Sequence, residues 1–254
     1  MRSGRFSARG TSGNVARYSE ISNAIADTFA AFADPGFDAR TPLTLLEAWY
    51  ALLAYSLQIY FDFSGYSDMA VGLGKLFGID LPWNFASPYR ATSVVDFWRR
   101  WHITLSRWMR DYQFVPLGVS TGSRRRTARK LFITMLIAGL WHGAAWTFVV
   151  FGVVNGLLLG AHALARSAGL WSPPEWLGRA ITYVTFASTL VIFRAPDLAT
   201  AGTVLGSMIG MHGIGLGDLG ALHHVAAVPV IFALQLLALL VWVNVAPNTF
   251  AYDL

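Results

Sequence analysis

A chain of 254 residues that is 55% hydrophobic and only 13% charged falls well below the roughly one quarter of charged residues usual in soluble domains. With a mean hydropathy of +0.47, it is suited to lipid. The net charge of +5 comes with no nucleic-acid motif, so that partner is set aside and the arginines are taken as markers of cytoplasmic loops. The absence of cysteine excludes disulfides, thiolate metal sites and a cysteinyl acyl-enzyme.

Arg2, Arg5, Arg9 and Arg17 lie among Ser and Gly, with no apolar core close behind to make a signal peptide. Residues 1–20 therefore form a basic, disordered start, and residues 21–254 one membrane domain. Residues 21–40 suit a short amphipathic helix with Ile25, Phe29 and Phe32 on one face, ended by Asp34-Pro35-Gly36. The apolar stretch 43–63 is long enough to cross a bilayer, which takes roughly 20 residues. A less hydrophobic stretch, 64–79, predicts a tilted or re-entrant helix that stops at Leu81-Pro82.

Over residues 94–114, Phe97, Trp101, Leu105, Trp108 and Tyr112 recur at helical spacing while Arg99, Arg100, Arg107 and Arg110 take other positions. That pattern predicts an amphipathic helix in the headgroup zone. Arg124, Arg125, Arg126, Arg129 and Lys130 read as a basic loop facing the cytoplasm. The 34 apolar residues from Leu131 to Leu164 exceed one span, so a break is expected around Gly139–Gly143. Gly139/Gly143 and Gly152/Gly156/Gly160 have the small-residue spacing that lets helices approach closely in lipid. Further spans are expected at 180–193 and 225–245. The predicted fold is an all-α, polytopic transmembrane helical bundle, with about five embedded helices and one interfacial amphipathic helix.

Polar groups within apolar segments are costly and tend to be functional. His142 lies 12 residues past Lys130. At about 1.5 Å per residue this is roughly 18 Å, near the middle of a hydrocarbon core about 30 Å thick. A neutral imidazole there could take a proton from a substrate hydroxyl. The alternative is a buried histidine bonded across a helix contact. His102, in Trp98-Arg99-Arg100-Trp101-His102, either anchors a helix at the headgroups or orients an acyl donor.

The run Tyr60–Asp68 reads either as a helix-to-helix turn or as the polar wall of a cavity. Ser64 suits capping, whereas Asp62 and Asp68 suit a cavity or a buried pairing. Ser64, Tyr66, Trp101 and Trp141 join Asp62 and Asp68 as chamber candidates. The adjacent His223 and His224 point to different sides of a helix, and His162 and His212 lack a supporting pattern, so no metal site is expected. Arg194 is expected to snorkel at a membrane edge.

QIYFDFSGYSDMAVGLGKLFGIDLPWNF, FWRRWHITLSRWMRDYQFVPLG and LFITMLIAGLWHGAAWTFVVFGVVNG closely resemble runs of the membrane-bound O-acyltransferase (MBOAT) family, in its bacterial alginate O-acetyltransferase branch. VIFRAPDLATAGTVLGSMIG and APNT resemble it more weakly. The resemblance implies an enzyme moving an acyl group, usually acetyl, to a hydroxyl of an extracytoplasmic glycan, with His142 matching the catalytic histidine and His102 the second one. It implies no bound cofactor, an acyl thioester donor (acetyl-CoA or an acyl carrier), a polysaccharide acceptor and periplasmic acetyltransferase partner proteins. The site implied is multi-pass in the bacterial inner membrane, in contact with lipid. Peptidoglycan or teichoic acid is the alternative acceptor, and a transporter-like or inactive truncated subunit the alternative class. Family members carry several more helices ahead of the region near Ala24, so the chain is expected to be a fragment.

Overall fold

The computed structural model describes residues 8–38, 41–118, 123–170 and 173–215, with residues 237, 238, 241 and 245. Among these residues the chain is all helical, with no strand. Eight α-helices follow one another: α1 (Ala8–Phe37), α2 (Leu45–Leu76), α3 (Val94–Arg100), α4 (Ile103–Met109), α5 (Arg124–His142), α6 (Trp146–Ser167), α7 (Glu175–Arg194) and α8 (Leu198–Met208). The span expected at 225–245 and the histidines at 223 and 224 lie outside the described residues.

The α1–α2 pair opens the bundle. Thr44 caps α2 reciprocally with Glu47: the Glu47 N–H donates to Thr44 Oγ1 at 3.5 Å, and the Thr44 N–H donates to Glu47 Oε2 at 2.8 Å. Phe29, Ala33 and Phe37 of α1 are buried with Ala48, Leu52 and Tyr55 of α2. A Cβ on Gly36 would collide with that of Ala51, so the two backbones nearly touch there. Phe186, Ala187, Leu190 and Val191 of α7 complete this core. Arg194 Nη2 donates to Asp34 Oδ1 at 2.8 Å, tying α7 to α1.

The α5–α6 pair is a glycine seam. A Cβ on Gly152 would lie 2.6 Å from the Met135 carbonyl oxygen, and one on Gly156 2.9 Å from Phe132 Cα. Only the missing side chains let the backbones approach so closely, as the small-residue spacing anticipates. Two described helices, Trp146–Ser167 and Glu175–Arg194, are long and apolar enough to cross a membrane.

Several boundaries differ from the sequence expectation. α1 begins at Ala8, so the basic stretch from there is helical, and the helix runs through Pro35 in its last turn. The 43–63 and 64–79 segments are one 32-residue helix, about 48 Å long at about 1.5 Å per residue. Ser64 caps nothing: its hydroxyl turns back to the Phe61 carbonyl at 3.5 Å. Gly65 alone is too weak a breaker, at about 1 kcal/mol, when both ends of the helix are packed.

The single interfacial helix expected over 94–114 is instead broken at Trp101-His102 and ends in a π turn, Arg110–Phe114. The basic loop is the start of α5, capped where Ser123 Oγ accepts from the Arg126 N–H at 3.4 Å. Its Lys130 is buried, donates to the Gly118 carbonyl and lies 4.1 Å from the centre of the Phe114 ring. Arg194 is held by Asp34 and lies over Phe37 and Tyr55 rather than reaching outward. The break after α5 falls at Gly143, within the expected stretch.

Gly152→Leu is expected to destabilise the protein by about 1–3 kcal/mol through overpacking of the seam, read as a lower melting temperature in detergent. An unchanged melting temperature would mean that α5 and α6 do not meet along these glycines.

Candidate active site

Between α2 and α3 the chain passes through Asn84, Phe85 and Ala86 and lies along the α3–α4 break. The Ala86 N–H donates to the Arg100 carbonyl and the Ile103 N–H to the Asn84 carbonyl, each at 2.9 Å. Arg100 Nη1 also donates to the Ala86 carbonyl at 3.3 Å, while its Nε pairs with Asp96 Oδ1 at 2.9 Å. These bonds draw residues 101 and 102 out of the helix.

His102 takes φ 45° and ψ 56°, a left-handed conformation that costs a non-glycine residue of order 1–3 kcal/mol and persists where the surroundings over-determine it. Beneath it the aromatic rings close up. Trp101 stacks on Phe97 at 5.6 Å and contacts Phe186 at 5.4 Å and Phe85 at 5.0 Å. Phe63 of α2 meets the His102 ring edge-on at 4.8 Å.

His102 Nδ1 lies 3.1 Å from Asn84 Oδ1, which also accepts from the Thr104 N–H at 3.2 Å and the Thr104 hydroxyl at 3.0 Å. Asn84 Nδ2 donates to Ser67 Oγ of α2 at 3.2 Å. Burial, with a smaller contribution from nearby His142, pushes the His102 imidazole down to about 4.

His142 is the last residue of α5. Gly143 turns the chain with φ 158°, and a Cβ there would come within 2.8 Å of the Phe148 ring. The half-buried imidazole is bounded by Phe193 of α7 at 5.0 Å, Trp141 at 5.1 Å, Phe148 at 6.0 Å and Phe151 at 6.2 Å. Among the described residues it has no hydrogen-bond partner. Phe151 also meets Trp98 of α3 at 6.4 Å, linking the two histidine regions.

The other sequence candidates separate. Asp62 and Tyr66 are exposed on α2. Ser64 and Asp68 are half-buried, and neither Asp62 nor Asp68 forms an ion pair among the described residues. Trp101 is buried in the aromatic cluster, whereas Trp141 is 59% exposed. His212 Nδ1 pairs with Ser207 Oγ at 3.0 Å, away from both histidines in sequence and contact.

Sequence reasoning missed Asn84 and Thr104 around His102, and Phe151 and Phe193 around His142, and held Ser67 only as part of the run Tyr60–Asp68. A lone Asn in a loop carries no periodic signal. The two phenylalanines were indistinguishable from span-filling residues.

Comparison with known proteins decides the family, since the match to MBOAT, the membrane-bound O-acyltransferase family, runs over residues 17–200. The chain belongs to this family. It is 46% identical over 195 residues to a "Peptidoglycan O-acetyltransferase" of Helicobacter pylori, covering 76% of this chain and 37% of that protein. It is 47% identical over 180 residues to a "Probable alginate O-acetylase AlgI" of Pseudomonas aeruginosa, covering 70% and 34%. A "Teichoic acid D-alanyltransferase" of Streptococcus thermophilus is 30% identical over 162 residues, covering 56% and 39%. The chain thus spans little more than a third of the length of these curated relatives.

Trp101→Ala should cost about 3–5 kcal/mol, the usual loss for truncating a buried large aromatic, whereas Tyr66→Ala should stay within about 0.5 kcal/mol. Thermal unfolding of the two variants in one detergent checks the contrast.

Proposed function

We propose that this chain carries the catalytic histidines of an O-acyltransferase that moves acetyl from a thioester donor to a hydroxyl of an exported glycan. The observation that carries this reading is the placing of His142. Its imidazole ends the 19-residue α5 among four aromatic rings, with no protein group to occupy its nitrogens among the described residues. The family and its curated relatives supply the acyl chemistry.

In the step proposed, a ring nitrogen of His142 takes the proton of the acceptor hydroxyl as its oxygen attacks the thioester carbonyl. The tetrahedral intermediate collapses with cleavage of the C–S bond, and the departing thiolate takes the proton back from the imidazolium. An apolar surround suits this base, because desolvation favours the neutral ring that the first half of the reaction needs. His102, near enough to feel His142, holds a reactant in register.

Asp68, Ser64 and Trp141 remain candidates for the chamber wall, with Asp62 and Tyr66 meeting whatever packs on the exposed side of α2. The acceptor is an exported polysaccharide such as alginate, with peptidoglycan the alternative that the Helicobacter pylori relative supports equally. The donor is acetyl-CoA or an acyl carrier on the cytoplasmic side, and periplasmic acetyltransferase proteins are the partners. The setting is the bacterial inner membrane, crossed several times. The basic first turns of α5 support a cytoplasmic position for that end of α5 by the positive-inside rule.

The test is restoration of ester-linked acetate on the polysaccharide of an export-competent host that lacks its own O-acetyltransferase. Wild type should restore it, and His142→Ala should lower it by about 100- to 10,000-fold at equal membrane abundance, the usual contribution of a general base. Equal acetate from both forms would sink the His142 mechanism.

A further inference from the structure

The hydrogen bonds around Asn84 bear on which nitrogen of His102 carries the proton. The Thr104 backbone N–H can only donate, and it donates to the same Asn84 side-chain atom that His102 Nδ1 meets. That atom is therefore the amide oxygen, which leaves the amide nitrogen to donate to Ser67 Oγ at 3.2 Å. An Nδ1 lone pair 3.1 Å from a carbonyl oxygen would be repelled, and the Thr104 hydroxyl, 3.5 Å from Nδ1, is spent on Asn84 Oδ1 at 3.0 Å, so these contacts favour a hydrogen on Nδ1. In the neutral ring Nε2 is then left with its lone pair, and it can accept a hydrogen bond but not donate one.

We infer that Asn84 is a positioning residue which, by holding His102 in the Nδ1–H tautomer, makes its Nε2, which no described residue occupies, the acceptor for a second hydroxyl of the incoming glycan, beside the one that His142 deprotonates, rather than a donor to the acyl carbonyl. The inference rests on the acyl-transfer reading for its substrate, but the tautomer itself stands on geometry alone.

Three features make the arrangement a built one. Asn84 is anchored at both ends of its side chain, to Ser67 on α2 and to the first turn of α4. Its own carbonyl accepts from the Ile103 N–H, so backbone and side chain grip the same break. His102 stays in a left-handed conformation that a helix would not impose, and that conformation brings Nδ1 to the amide. Had His102 been meant to stabilise a carbonyl oxyanion, an N–H on its free nitrogen would have been needed. The amide oxygen selects the opposite tautomer. Asn84 thus orients an imidazole as a buried carboxylate does in other enzymes, without adding a charge at the site.

The experiment uses the full-length protein in lipid nanodiscs, with ring-15N histidine. The His102 nitrogen signals are assigned by their loss in His102→Gln. In wild type, Nδ1 should be of the protonated type and Nε2 of the unprotonated type. Asn84→Leu should move the ring towards the Nε2–H tautomer and lower kcat for acetyl transfer by about 10- to 100-fold, with KM for the donor unchanged. Asn84→Asp keeps an acceptor oxygen and should retain the Nδ1–H tautomer and most of kcat.

A wild-type His102 protonated on Nε2, or an unchanged tautomer in Asn84→Leu at unchanged melting temperature, would overturn the inference. If the tautomer follows Asn84 as stated but His102→Gln transfers acetate normally, the positioning stands and the catalytic reading of His102 fails.

Discussion

The two backbone hydrogen bonds that join Asn84 and Ala86 to the α3–α4 break are the constraint on which the site depends. Without them, residues 94–114 have no reason to leave a single helix, because their aromatic periodicity favours one. With them, Trp101 turns down into the cluster of Phe85, Phe97 and Phe186, and His102 turns away from the helix path. Burial of the rings stabilises the break, and the break in turn presents the histidine. Removing either part removes the other's purpose.

His142 is positioned by a different device. Its neighbours supply no polar grip, so its place follows from where α5 ends and how closely α6 lies against it. Gly139, Gly152 and Gly156 set that closeness, and Gly143 turns the chain immediately after the imidazole. The contrast with His102 is plain: one ring is tethered through its Nδ1, and the other meets no hydrogen-bond partner among the described residues. Trp98 and Phe151 join the two neighbourhoods through ring contact alone.

Much of this was legible in the sequence. The helical class, the glycine seam and the break near Gly143 follow from hydropathy, small-residue spacing and span length. What escaped was decided by contacts distant along the chain. Nothing local says that Tyr60–Asp68 continues a helix, since Asp, Ser and Gly are also turn residues. Packing over the whole length of α2 overrides that preference. Arg194 looked like an edge residue because Asp34, its partner, is 160 positions away. Asn84 gave no sign at all, since its meaning lies in Thr104, Ser67 and a ring nitrogen.

The Asp34–Arg194 pair also bears on the order in which the bundle is made. The α1–α2 and α5–α6 hairpins need only near neighbours and can form while later segments are still being synthesised. The ion pair joins residues separated by 160 positions, so it cannot close until α7 has been made. The pair therefore closes late in assembly, and with both side chains partly exposed it fastens a bundle whose apolar contacts are already made.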